Sequence, residues 1–252
     1  MGNCAKTLAL IAAAFALMSA QAPAPDPAVG VLAAAREAMG GEKKLAAVRT
    51  VLASGRTRQV RGDNLIPIEF EIAIELPDKY VRKDEIPAQD SGPTIAGFRG
   101  DEALGRLPSA VVKQDFARLT LGLFAGSFSS YPLTFTYAGK AEAPQGKADV
   151  IDVKGPAGPG ALAARLFINA DTHLPIMISW TAPAQPSRGG PPPASAAAPE
   201  SRLYFGEYRE VSGLQLPFRI RRALGSETVE ETTFDGYKIN GKIDPKKFEV
   251  RK

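Results

Sequence analysis

Leu214-Gln215-Leu216-Pro217-Phe218-Arg219-Ile220-Arg221 is the stretch whose reading decides the fold. Leu214, Leu216, Phe218 and Ile220 alternate with Gln215, Pro217, Arg219 and Arg221. A period of two places the first set on one face of a β-strand and the second set on the other. Ser212-Gly213 precedes the stretch and Gly225-Ser226 follows it. Both pairs are turn chemistry, because glycine reaches positive φ without a Cβ clash. The reading predicts consecutive antiparallel strands over Arg202–Val211, Leu214–Leu224 and Thr228–Asn240. A sheet with one apolar face needs a cover.

The upstream chain supplies more sheet and that cover. Asp26 caps a helix that Pro27 begins, with Leu32, Ala35 and Met39 on one face, and Gly40-Gly41 ends it. A short helix over Glu42–Ala47 presents Leu45 to the same core. Strands follow over Val48–Val60 and Ile66–Leu76 around the turn Arg61-Gly62-Asp63-Asn64. In the second, Ile68, Phe70, Ile72, Ile74 and Leu76 alternate with Glu69, Glu71 and Glu75, a half-buried pattern. Pro67 marks an edge or a strand beginning. Lys79–Glu85 and Ile95–Arg99 read as further strands. Pro108–Phe124 reads as a helix whose apolar stripe is Val112, Phe116, Leu119 and Leu123. Leu133–Lys140 and Ala148–Lys154 form a hairpin, and Ala163–Asn169 and Leu174–Thr181 another. Ala182–Glu200 is Pro, Ala, Ser and Gly with almost no large apolar residue, so it reads as a disordered loop between adjacent strands.

Composition narrows the function. The chain has 252 residues, 44% of them hydrophobic, enough for a sizeable core. A net charge of +4, with no basic run alternating with aromatics, argues against nucleic acid as a partner. Lys6, the apolar run Leu8–Met18 and the small residues after it form a secretory signal peptide and cleavage zone over 1–22. The run is shorter than the roughly 20 residues a membrane span needs. This predicts an exported protein, periplasmic or secreted, with one domain over 23–252. The one cysteine, Cys4, is then removed, which excludes a Cys nucleophile, a Cys metal site and a disulfide framework. His173 is the one histidine, so multi-His metal sites are excluded too, and no cofactor is expected.

No catalytic constellation rises above background. His173 lies in a turn before Leu174-Pro175, and no Gly-x-Ser-x-Gly elbow accompanies it. Glu69, Glu71 and Glu75 share a strand face, which reads first as a solvated face. Gly155–Gly160 lacks the Lys-Ser/Thr ending of a phosphate loop. Arg219, Arg221, Arg222, Lys246, Lys247, Arg251 and Lys252 suit anionic head groups at a membrane surface, although ordinary solubility charge is the preferred reading. The apolar face is the sharper hypothesis. Phe70, Ile72, Ile74, Phe98, Leu119, Leu123, Phe124, Ile178, Trp180 and Phe218 are the candidates to line a space between sheet and helices. A strongly curved sheet encloses a cavity that packing need not fill, and an acyl chain suits it.

Arg165-Leu166-Phe167-Ile168-Asn169-Ala170-Asp171-Thr172-His173-Leu174-Pro175 is similar to the Asp-x-x-Thr-x-Leu-Pro hairpin of periplasmic outer-membrane lipoprotein-sorting (lipoprotein-carrier-like) proteins. Tyr204-Phe205-Gly206-Glu207-Tyr208 through Leu216-Pro217, and the ending Tyr237-Lys238-Ile239-Asn240 to Phe248, resemble that family as well. The resemblance implies an α+β fold: an unclosed, strongly curved antiparallel half-barrel with helices as a lid over a hydrophobic concavity. It also implies a role. Family members shuttle lipoproteins by holding their acyl chains, and relatives sense envelope stress by binding proteins. The expectation is an exported, non-enzymatic binding protein for a lipid or lipoprotein acyl chain. The alternative is an envelope protein–protein interaction or sensor module with a packed core. A third, weaker reading is a hydrolase using acidic residues. The first two differ in whether the helix Pro108–Phe124 covers an empty space or fills it.

Overall fold

The computed structural model describes residues 26–249, apart from 88, 90–91, 159–160 and 182–198. The expected signal peptide lies outside the described residues, as does most of the expected loop Ala182–Glu200. Glu200 itself is described, and it opens a strand rather than closing a loop.

Helix α1 (Pro27–Ala38) begins where the Asp26 carboxylate accepts the Ala28 N–H at 2.8 Å. It ends at Gly40 (φ 126°) and Gly41 (φ 89°), conformations closed to other residues without strain. Helix α2 (Glu42–Ala46) buries Leu45. Strands β1 (Thr50–Arg61) and β2 (Asn64–Glu75) pair along their whole length around Gly62-Asp63. Strands β3 (Lys79–Glu85), β4 (Thr94–Arg99) and β5 (Glu102–Gly105) extend that side of the sheet. Pro67 lies opposite Arg58 of β1 but beyond the reach of β3, whose pairing starts at Glu69. Its missing N–H therefore removes no ladder bond on that side.

The second half of the sheet is a meander of hairpins. It comprises β6 (Thr134–Ala143), β7 (Gly146–Lys154), β8 (Ala163–Asn169), β9 (Pro175–Thr181), β10 (Glu200–Val211), β11 (Leu214–Leu224) and β12 (Glu227–Ile239). The order in the 12-stranded sheet is β5-β4-β3-β2-β1-β12-β11-β10-β9-β8-β7-β6, antiparallel at every junction. Only the β1–β12 junction joins strands distant in sequence. The Thr57 and Thr232 hydroxyls hydrogen-bond across it at 2.8 Å. β5 and β6 stay unpaired to each other, so the sheet is an open half-barrel.

Helix α3 (Ser109–Phe124) links those two opposite edges and must cross the sheet to do so. Its contacts reveal the curvature. The Lys113 ammonium sits 5.6 Å from the Phe98 ring on β4, and the Arg118 guanidinium 4.4 Å from the Trp180 ring on β9. On a flat sheet those strands would stand about 34 Å apart, at ~4.8 Å per strand. The two helical residues are separated by only about 7.5 Å along the axis. The sheet therefore wraps around α3. The concave face, α1, α2 and α3 share one hydrophobic core. A second, smaller core of Ala73, Val81, Leu104, Ile243 and Phe248 sits on the convex face, under the 3₁₀ turn Pro245–Phe248.

Candidate binding site beneath the bridging helix

Strand alternation aims the predicted lining residues inward. Phe70, Ile72 and Ile74 from β2, Phe98 from β4, Ile178 from β9 and Phe218 from β11 are buried in the concave core. Leu123 and Phe124 of α3 are buried against them, while Leu119 and Trp180 are partly buried at its margin. All of these residues meet in one cluster around α3. They do not surround one open cavity: α3 occupies the concavity as a wedge.

The wedge is close-fitting. Gly122 faces the Phe205 ring, and a Cβ there would lie 2.1 Å from a ring carbon, so only glycine allows this approach. The Tyr208 hydroxyl donates to the Pro175 carbonyl at 2.6 Å and lies 3.3 Å from the Gly122 carbonyl. Burial pushes the Tyr208 phenol well above its ordinary pKa, so it remains a neutral donor. Phe116, in the predicted stripe but outside the predicted lining, packs edge-on against Phe98 at 5.3 Å between centroids. It also touches Tyr80 at 5.4 Å and Phe128 at 6.1 Å. Tyr80, Phe205 and Phe234 complete the buried aromatic set, and sequence reasoning left them out of the lining. Their signal was available, since each sits on the inward phase of its own strand.

The C-terminal end of α3 is held by another helix. Arg36 of α1 donates from Nη1 to the Phe124 carbonyl at 2.9 Å, satisfying one of the free carbonyls at a helix end. The same guanidinium forks onto Glu42, with Nη2 to Oε1 at 2.8 Å. That hydrogen bond holds the Glu42 carboxyl below its ordinary pKa. Beside this latch lies a cleft of about 260 Å³, lined by Leu45, Val48, Leu76, Pro77, Phe124 and Phe128, with Arg36 at the rim. Small-molecule pockets span about 300–1,000 Å³. The cleft is thus smaller than the usual small-molecule site.

The residues weighed for catalysis are dispersed. His173 sits in a turn that the Asn169 carboxamide organises by accepting the Asp171 N–H at 3.0 Å and the Thr172 N–H at 2.8 Å. His173 itself takes φ 57° and is exposed. Glu69 and Glu71 point outward, and Glu71 accepts from the Lys247 ammonium at 2.9 Å. Among the described residues, no three His, Cys, Asp or Glu side chains converge as a metal site. Arg219 pairs with Glu231 and Glu207 on the convex face, and Arg221 stacks on Tyr204. Arg222 lies on the other face, so the predicted basic group is divided between the two sides. Arg251 and Lys252 lie outside the described residues.

No family model and no curated protein matches this sequence. Solved structures do. A LolA superfamily protein from Nitrosomonas europaea superposes with a TM-score of 0.59 at 13% identity, covering 88% of this chain and 97% of that one. A putative outer membrane lipoprotein-sorting protein domain from Vibrio parahaemolyticus gives 0.55 at 8% identity, over 88% and 97%. A DUF1329 family protein from Desulfovibrio piger gives 0.50 at 10% identity, over 89% and 98%. The chain therefore shares the fold of these structures: an unclosed antiparallel half-barrel with covering helices. At such identities the likeness concerns the fold.

Proposed function

We propose that this is an exported, non-enzymatic binding protein that holds a lipid or lipoprotein acyl chain between the concave sheet and α3. The observation that carries the reading is topological. An apolar face built by strands from both halves of the sheet is covered centrally by one helix, which is tied to the sheet's two open edges. Phe70, Ile72, Ile74, Phe98, Ile178, Trp180 and Phe218 would line the chain on the sheet side. Leu119, Leu123 and Phe124 would line it on the helix side. The cleft beside Phe124 is apolar space into which the far end of the tail can extend, and each buried CH₂ adds about 0.8 kcal/mol. The fold shared with lipoprotein-sorting proteins supports an envelope location, with 1–22 as the cleaved leader.

The test is mass spectrometry of lipids extracted from mature protein purified from the envelope fraction without detergent. A stoichiometric acyl lipid, lost in a folded Leu123→Glu variant, is the expected result. Protein that carries no lipid and takes up no acyl probe would overturn the reading. One observation favours a second reading, an envelope interaction or sensor module. The side chains beneath α3 are already packed, with Phe116 and Leu121 almost fully buried. Under that reading, protein free of lipid would instead retain a protein partner after crosslinking in the envelope.

A further inference from the structure

The concave face is not apolar out to its rim. The alternation that buries Leu214, Leu216, Phe218 and Ile220 puts Arg222 next on the same face, half-buried. From the opposite side, α3 contributes Arg118, whose side chain is 11% exposed and rests on Trp180. Arg118 donates from Nη1 to Asp115 at 2.8 Å and from Nη2 to Gln114 at 3.3 Å. Its Nε is buried without a partner, and so is the Nε of Arg222. Arg222 makes no hydrogen bond or ion pair among the described residues. Glu230 stands opposite it in register but outside ion-pair distance, beside the Thr232 hydroxyl at 3.5 Å. The nearby Arg82 is satisfied, by Asp84 at 2.7 Å and Thr57 at 3.2 Å.

Register places Arg222 and Arg118, each with an unpartnered Nε, on the same part of the concave face. Arg222 pairs with Leu203, and Leu203 with Ile178. Two strand spacings, about 10 Å, therefore separate Arg222 from Ile178. Trp180, under Arg118, is the next inward residue after Ile178. Burial pushes the Arg118 pKa down against the pull of Asp115, and the Arg222 charge pushes it further. A buried and a half-buried guanidinium, each with an unused Nε–H, gain from an anion that completes their hydrogen bonds. The surrounding rim is apolar. Leu224, the next residue on the Arg222 face of β11, is exposed, and Leu107 and Val111 are exposed where α3 begins.

We propose that Arg118 and Arg222 form the recognition site for the anionic head, carboxylate or phosphate, of an amphiphile. This rests on the acyl-chain reading above: the tail lies under α3, the head meets the arginine pair, and exposed Leu224 lies beside Arg222 on the same face.

The experiment compares cis-parinaric acid with its methyl ester, by fluorescence titration of the full mature chain and of the Arg118→Gln and Arg222→Gln variants. The expected result is an acid bound about tenfold more tightly than the ester, from hydrogen bonds to a charged group. Each substitution should erase that preference, so that acid and ester bind with equal affinity. Equal affinities in the wild type, a comparison that needs no variant, would overturn the anion site and leave the carrier reading standing. So would a preference that survives both substitutions. Binding of neither probe would overturn the carrier reading, and inorganic phosphate then decides the site. A phosphate-dependent rise in Tm lost in Arg222→Gln would assign the site to a free anion, and no rise would remove it.

Discussion

Gly122 is the position at which a single methyl group matters most. Its space is filled by the Phe205 ring, so Gly122→Ala must lift α3 or rotate the ring. Overpacking of this kind costs about 1–3 kcal/mol, and a lower denaturation midpoint with an unchanged m-value would register it. Arg36 and Glu42 carry a pH dependence. The folded-state pKa of Glu42 is lowered by its hydrogen bond from Arg36. Its contribution is therefore complete above the unfolded carboxyl value of about 4.3 and is lost as pH falls through the lowered folded value. The pair is exposed, so the global effect is small and the local one is the readout. Amides at Ala125 and Gly126 should gain exchange between pH 6 and pH 3 beyond the intrinsic change, and the gain should vanish in Arg36→Ala. A gain of equal size in Arg36→Ala would rule out this ion pair as its source.

Among the elements, α3 and α1 do different work. α3 is held through aromatic packing: Phe116 touches Tyr80, Phe98 and Phe128 and is almost fully buried. Phe116→Ala should cost about 3–5 kcal/mol in equilibrium unfolding, and a loss under 1 kcal/mol would mean that α3 is loosely seated. α1 guards an edge. The Asp26 carboxylate that caps α1 also accepts the Tyr137 N–H of edge strand β6 at 3.1 Å. Asp26→Ala removes a cap worth about 1 kcal/mol and frees an edge amide, so faster exchange at Tyr137 should accompany the lower stability. The sequence made α3, its stripe and the Asp26 cap legible through local signals. β5 was not legible, because Glu102–Gly105 is too short to show a period and exists through its pairing with β4.

For the whole molecule, connectivity sets the expected dynamics. The hydrogen bonds that hold the sheet run from β5 to β6 without passing through α3. Local opening of the helix therefore need not break the sheet. Loading with an acyl probe should raise exchange in Val112–Phe124 while the β1–β12 junction stays protected. Uniform protection across helix and sheet would instead indicate binding at the existing cleft, without displacement of α3.

Which residues face inward was legible in the sequence, since alternation and helical spacing are local properties of the backbone. The sequence thereby delivered the strands, the helix stripe and the candidate lining from Phe70 to Phe218. Pairing of consecutive strands also followed, because short turns leave few alternatives. That β1 pairs with β12 emerged from the tertiary structure: the pairing joins strands almost the whole chain apart, with the Thr57–Thr232 hydroxyl bond across it. The tertiary structure alone showed that α3 fills the concavity rather than roofing an empty one, a matter of the Gly122–Phe205 fit that no periodicity encodes. It also divided the basic residues. Arg219 and Arg222 read alike in sequence, yet Arg219 faces carboxylates in solvent and Arg222 turns to the concave side with its Nε unpartnered, because an odd step along a strand reverses the face.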